Sequence, residues 1–108
     1  MQKTNIFTEG PFKDDGYGML WLHDSPHIRV VNFNFKPGQE LPIHHHDLDG
    51  ELAIVVVEGE GEFLAEGDVT MPARPGDVLV CPIRVPHGLR ATTAMRIVVS
   101  VSPPPKLK

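Results

Sequence analysis

The chain is 108 residues long, 41% hydrophobic and 22% charged, which suits one soluble globular domain with a single core. Ten Lys and Arg against fourteen Asp and Glu leave a net charge of −4, and the scattered cations give no basic footprint for nucleic acid. No apolar run approaches the roughly 20 residues of a bilayer span, and the single cysteine, Cys81, excludes an internal disulfide framework.

The first residues show no apolar stretch with a cleavage site, so no signal peptide is visible and a reducing, cytoplasmic setting is expected. Eleven prolines and ten glycines argue for short strands cut by turns rather than long helices. Residues 17–23 are apolar enough for a strand. Residues 27–35 are rich in β-branched and aromatic side chains. Ile28 and Val30 share one face there while Phe33 and Phe35 share the other, which predicts a bulge near Val30–Val31 or burial of both faces. Lys36, Pro37 and Gly38 form a turn.

Residues 52–57 are a continuous apolar run, as a core strand requires. Residues 58–61 turn, 62–65 and 69–71 are short strands, and 74–76 turn again. Strands at 78–81 and 87–90 follow, with Pro82 and Pro86 at a sheet edge or bend between them. Residues 95–101 close the domain. The expected organisation is one domain over 1–101 and a Pro-rich tail over 102–108, frayed or extended. About nine strands with no 3.6-residue periodicity indicate an all-β sandwich or barrel.

Two stretches carry chemistry. His44 and His46 stand two residues apart, so in an extended strand they share a face with Cα atoms about 7 Å apart, and His45 faces away. Glu51 can add an oxygen and His87 a third nitrogen from a distant strand. Three neutral imidazoles and a carboxylate suit a divalent first-row transition metal.

These residues resemble the cupin family. Its first motif, Gly-x5-His-x-His-x(3,4)-Glu-x6-Gly, is met by Gly38, His44, His46 and Glu51, with the closing Gly59 after seven residues instead of six. Its second, Gly-x5-Pro-x-Gly-x2-His-x3-Asn, is met by Gly76, Pro82 and His87, with Arg84 for Gly and Ala91 for Asn. The resemblance runs from Gly38 to Ala91 and implies a double-stranded β-helix, or jelly roll, of two antiparallel sheets. It implies His44, His46, Glu51 and His87 as ligands of one metal inside the barrel, and a homodimer. Counting back from Gly59 puts Leu52 at the acidic position, so Glu51 turns inward only if a bulge or the turn absorbs the extra residue. Asp49 and a bare three-histidine site are the alternatives. Arg84 in place of Gly predicts negative φ at that point.

Four protein ligands on a metal that prefers six leave adjacent positions for a bidentate keto acid, enol, diol or sugar acid. The resemblance allows dioxygenation, decarboxylation, lyase and isomerase chemistry at Mn, Fe, Co, Ni, Cu or Zn, and the fold alone does not choose among them. A non-catalytic binding or sensing module is the alternative. Arg29, Phe33, Phe35 and Gln39 are the candidate substrate contacts, each with a plainer reading: salt-bridged edge residue for Arg29, core for the two phenylalanines. Tyr17 is a conceivable proton donor, but no catalytic acid or base stands out. Cys81 reads as a small buried hydrophobe, and His23 and His27 as surface or edge residues. The partner expected is a small molecule, with no nucleic acid and no membrane.

Overall fold

The computed structural model describes residues 1–105. A short helix, α1 (Ile6–Glu9), precedes nine strands: β1 (Gly18–Asp24), β2 (Arg29–Phe35), β3 (Glu40–His44), β4 (Glu51–Glu58), β5 (Gly61–Ala65), β6 (Thr70–Ala73), β7 (Val78–Pro82), β8 (His87–Ala91) and β9 (Met95–Ser102). They form a five-stranded sheet ordered β1-β2-β9-β4-β7 and a four-stranded sheet ordered β3-β8-β5-β6. Every pairing is antiparallel. After β2 the chain passes back and forth between the sheets, apart from the β5–β6 hairpin within the smaller one, which is the expected jelly roll.

Strand alternation builds the core. Leu52, Ile54 and Val56 of β4 are buried, as are Val31, Phe33 and Phe35 of β2, and they meet Leu41, Phe63 and Leu89 of the other sheet. Phe35 is fully buried and lies against Tyr17 and Phe33.

Of the two explanations offered for the pattern of β2, burial of both faces is the one that holds: β2 pairs with β9 without a break from Arg29 to Phe35, and the bulge lies in β1 instead. Trp21 pairs with Val31 and His23 with Val30, so Leu22 is an extra residue in β1 opposite that point. The outer face of β2 is buried as well, at Asn32 and Asn34. What covers it is the N-terminal arm, whose helix the sequence did not announce. Asn5 caps that helix by accepting a hydrogen bond from the Phe7 amide. At four residues, α1 is too short to show periodicity.

Arg96 of β9 ties the arm down. Its Nε donates to Glu58, and Nη1 donates to the Ile6 and Gly10 carbonyls and to Asn34 Oδ1. Phe12 lies 4.5 Å from the guanidinium carbon. Asn32 donates in turn to the Ile97 carbonyl and Asn34 to Asn32 Oδ1, so each buried amide has partners, as burial requires. Gly10 fits only because it lacks a Cβ, which would stand 2.5 Å from Asn32 Oδ1.

Most strand bounds differ from expectation by a residue or two, and the end of β9 is the one with a structural consequence. Ser102 belongs to β9, pairing with Glu51, because β4 runs far enough to receive it. Pro103, Pro104 and Pro105 then hold a defined path, with the Pro105 carbonyl 3.5 Å from Arg29 Nη2. The fraying expected further along the tail falls on 106–108, outside the described residues. No helix among the described residues is long and apolar enough to cross a membrane.

Candidate functional site

A cavity of about 230 Å³ opens at one rim of the barrel, between the sheets. His44 and His46, from the end of β3 and just beyond it, and His87, at the start of β8, all line it. His44 and His87 are direct cross-strand partners, with ring centroids 4.4 Å apart. His46 is wider, 6.0 Å from His44.

A bulge makes this possible. Leu41 pairs with Leu89 and His44 with His87, so three steps along β3 answer two along β8. Without the extra residue, Leu41 and His44 would face opposite ways; with it, both line the cavity. Pro42 sits in the bulge, tolerated because β3 is an edge strand. Gly88 opposite makes room, since a Cβ there would stand 2.7 Å from the Leu41 carbonyl oxygen and 2.9 Å from the Ile43 nitrogen. Gly88→Ala is therefore expected to push β3 outward and cost about 1–3 kcal/mol. Urea denaturation together with the NMR shifts of the His44 ring checks it.

The donor atoms are prepared for coordination. His44 Nδ1 lies 2.8 Å from the Pro42 carbonyl and His87 Nδ1 lies 2.6 Å from the Val85 carbonyl. A carbonyl only accepts, so each Nδ1 carries a proton, and in the neutral ring the lone pair is then on Nε2. Burial pushes the His87 imidazole below its ordinary range; the Val85 hydrogen bond opposes this, and the neighbouring imidazoles add to it. His87 is thus held neutral, as a metal ligand must be.

As placed, no three or more His, Cys, Asp or Glu side chains among the described residues are grouped to hold an ion. A ring centroid stands about 3.2 Å from a metal bound at about 2.1 Å. The 4.4 Å between His44 and His87 matches rings on neighbouring coordination positions, whereas the 6.0 Å to His46 exceeds it. The donor chemistry fits a three-imidazole set, and of the two spacings only that of His44 and His87 matches what a shared ion would require.

Glu51 is not brought to this group. Its pairing is unbroken from Glu51 to Val55, so strict alternation turns it outward and exposed while Leu52 lines the cavity. A bulge does exist in β4, but at Val57, between Val56 and Glu58, too far along to alter Glu51. Asp49 is no substitute; it is exposed and paired with Arg84 at 3.1 Å. Arg84 has negative φ, as expected, because Asp68 is the one non-glycine residue with positive φ among the described residues. His45 is exposed, 3.8 Å from Asp47.

Of the substrate-side candidates, Arg29 and Phe33 line the cavity, and Phe35 and Gln39 do not. Phe35 lies deeper, in the core. Gln39 is committed elsewhere: Oε1 accepts from the Lys36 amide and Nε2 donates to the Lys13 carbonyl. Sequence reasoning missed Trp21 and Met19 on the cavity wall. The signal was the period-two series Tyr17, Met19, Trp21, which shares one face of β1 and its approach. Cys81 is half-buried against the core, and burial pushes its thiol up, away from a nucleophile's range.

The chain matches the Cupin domain family over residues 31–101. It belongs to the cupin family. A solved RmlC-like cupin from Desulfovibrio desulfuricans is 48% identical over 97% of this chain and 99% of its own, with a TM-score of 0.93. A Klebsiella pneumoniae protein with a double-stranded β-helix domain is 19% identical over 95% of this cupin and 90% of its own length, at 0.87. Salicylate 1,2-dioxygenase from Pseudoaminobacter salicylatoxidans is 23% identical over 82% of this cupin and 26% of its own chain, at 0.72. The last two likenesses are of fold. A search of curated protein sequences gave no match.

Proposed function

We propose that this cupin holds one divalent first-row transition metal on His44, His46 and His87 and acts there on a small oxygen-rich metabolite. The metabolite classes are keto acid, enol, diol and sugar acid, and the reaction classes dioxygenation, decarboxylation, lyase and isomerase chemistry. The supporting observation is that three imidazoles from two separate segments line one cavity, two of them with Nδ1 held by a backbone carbonyl. A bound ion supplies Lewis acidity. The chain supplies the rest: apolar walls at Leu41, Ile54 and Phe33 exclude water and strengthen charge interactions. Tyr17 offers a phenolic oxygen, and Arg29 a fixed positive charge. The fold is one on which a salicylate dioxygenase is also built, which keeps dioxygenation among the candidates.

A second reading, a binding module without turnover, is favoured by one observation. No Asp or Glu is among the described residues lining the cavity, so none of them offers a carboxylate proton shuttle. A cytoplasmic homodimer, with copies covering the open edges of the two sheets, completes the proposal.

Elemental analysis of protein purified without added metal or chelator, followed by a keto-acid and diol screen, tests both readings. Stoichiometric metal with turnover is the expected result. Stoichiometric metal and binding without turnover identifies the module. Negligible metal after full supplementation overturns the metal reading.

A further inference from the structure

We propose that the cavity selects a small monocarboxylate with a flat apolar body, its carboxylate held by Arg29 at the same rim that carries the three histidines. This deepens the proposed function and rests on its reading of the cavity as the ligand site.

The first ground is position. Arg29 pairs with Val101 of β9, and Val101 pairs with Leu52 of β4. Arg29, Val101 and Leu52 therefore form one row across the sheet, and all three line the cavity. Arg29 shares the inward face of β2 with Val31 and Phe33, two and four residues on. Its side chain is only 14% exposed.

The second ground is its unused hydrogen-bonding capacity. Asp24 engages Nε at 3.1 Å, from a carboxylate that is itself 48% exposed. Among the described residues the terminal amino groups have one protein contact, Nη2 to the Pro105 carbonyl at 3.5 Å, at the limit of a hydrogen bond. Trp21 lies beside the guanidinium with its ring centroid 5.3 Å from the carbon, a cation–π contact that uses none of its donors. A planar fork whose terminal donors are little used by the described residues suits bidentate contact with a carboxylate.

The third ground is charge. Among the described residues the ionisable side chains lining the cavity are Arg29, Tyr17 and the three histidines, with no acid among them. Leu52 occupies the inward position beside Glu51. A site with cationic and neutral donors and no anion of its own favours an anionic ligand. The apolar walls then set the rest of the ligand, because an extended polyhydroxylated body would leave its hydroxyls unpaired against Phe33, Ile54 and Leu41. A volume of about 230 Å³ admits a single ring and little more.

Benzoate and its neutral isostere benzamide are the probes, and Trp21, the sole tryptophan, is the reporter. The protein is titrated by fluorescence and calorimetry in metal-loaded and chelator-treated forms. Benzoate is expected to change Trp21 emission and to lose at least about tenfold in affinity in Arg29→Gln. Benzamide is expected to bind weakly and to be indifferent to that substitution. Arg29→Lys, which keeps the charge, controls for folding and should retain part of the affinity. Equal benzoate affinity in wild type and Arg29→Gln, or no benzoate binding in either form of the wild type, overturns the proposal. Metal content is measured on the same samples. A protein that loads metal but ignores benzoate refutes only the carboxylate reading. One that never loads metal yet binds benzoate through Arg29 refutes only the metal reading.

Discussion

His87→Ala is expected to reduce metal affinity by at least about 100-fold, since even outer-shell partners of a metal ligand cost 10–100-fold when removed. His87 is buried, neutral and fixed by the Val85 carbonyl, and it forms the closest ring pair of the site with His44. Isothermal titration with a divalent ion, beside circular dichroism for folding, measures the effect. Glu51→Gln should leave affinity unchanged, because its side chain lies on the outer face of β4. A loss in Glu51→Gln comparable with that in His87→Ala would show that the acid reaches the ion after all, and the three-histidine assignment would fall.

Arg96→Ala should be among the most destabilising single substitutions outside the cavity, by about 3 kcal/mol, lowering Tm by more than about 10 °C. The side chain is 9% exposed and serves four oxygen acceptors at 2.9 to 3.1 Å. Removing it takes the charged donor from the Gly10 carbonyl, and from Asn34 Oδ1 and the Ile6 carbonyl, which keep only the Asn32 amide and the Gly10 amide as donors next to a buried sheet face. Arg96→Lys should recover only part of the loss, because one ammonium cannot reproduce the fork. Thermal melts of the three proteins decide it; a shift of less than about 2 °C in Arg96→Ala would refute this account of how the arm is held.

The strands were legible because β-branched and aromatic residues fill them and glycine and proline bound them. The histidine set was legible from the i, i+2 spacing and the distant His87. The spacing from Glu51 to Gly59 was legible too, but it left two registers open, since a single extra residue can sit anywhere along β4. Its place at Val57 depends on how β4 pairs with β9, a non-local matter. The bulge at Pro42–Ile43 had the same character, being accommodated by Gly88 on another strand. Burial of both faces of β2 was one of two readings left open, because nothing local to Asn32 and Asn34 says what covers their face. Only the arm and Arg96, 62 residues beyond Asn34, turn that face into an interior. Gln39 and Phe35 were misassigned to the substrate for a related reason: their partners, Lys13 and Tyr17, come from a segment with few local signals.

The placement of β9 bears on how the chain is made. The last of the nine strands to leave the ribosome is the central member of its sheet, wedged between β2 and β4. Earlier segments can pair as local hairpins during synthesis, but the larger sheet must wait for its keystone. Truncations within the final strand should therefore abolish the whole barrel rather than trim its border.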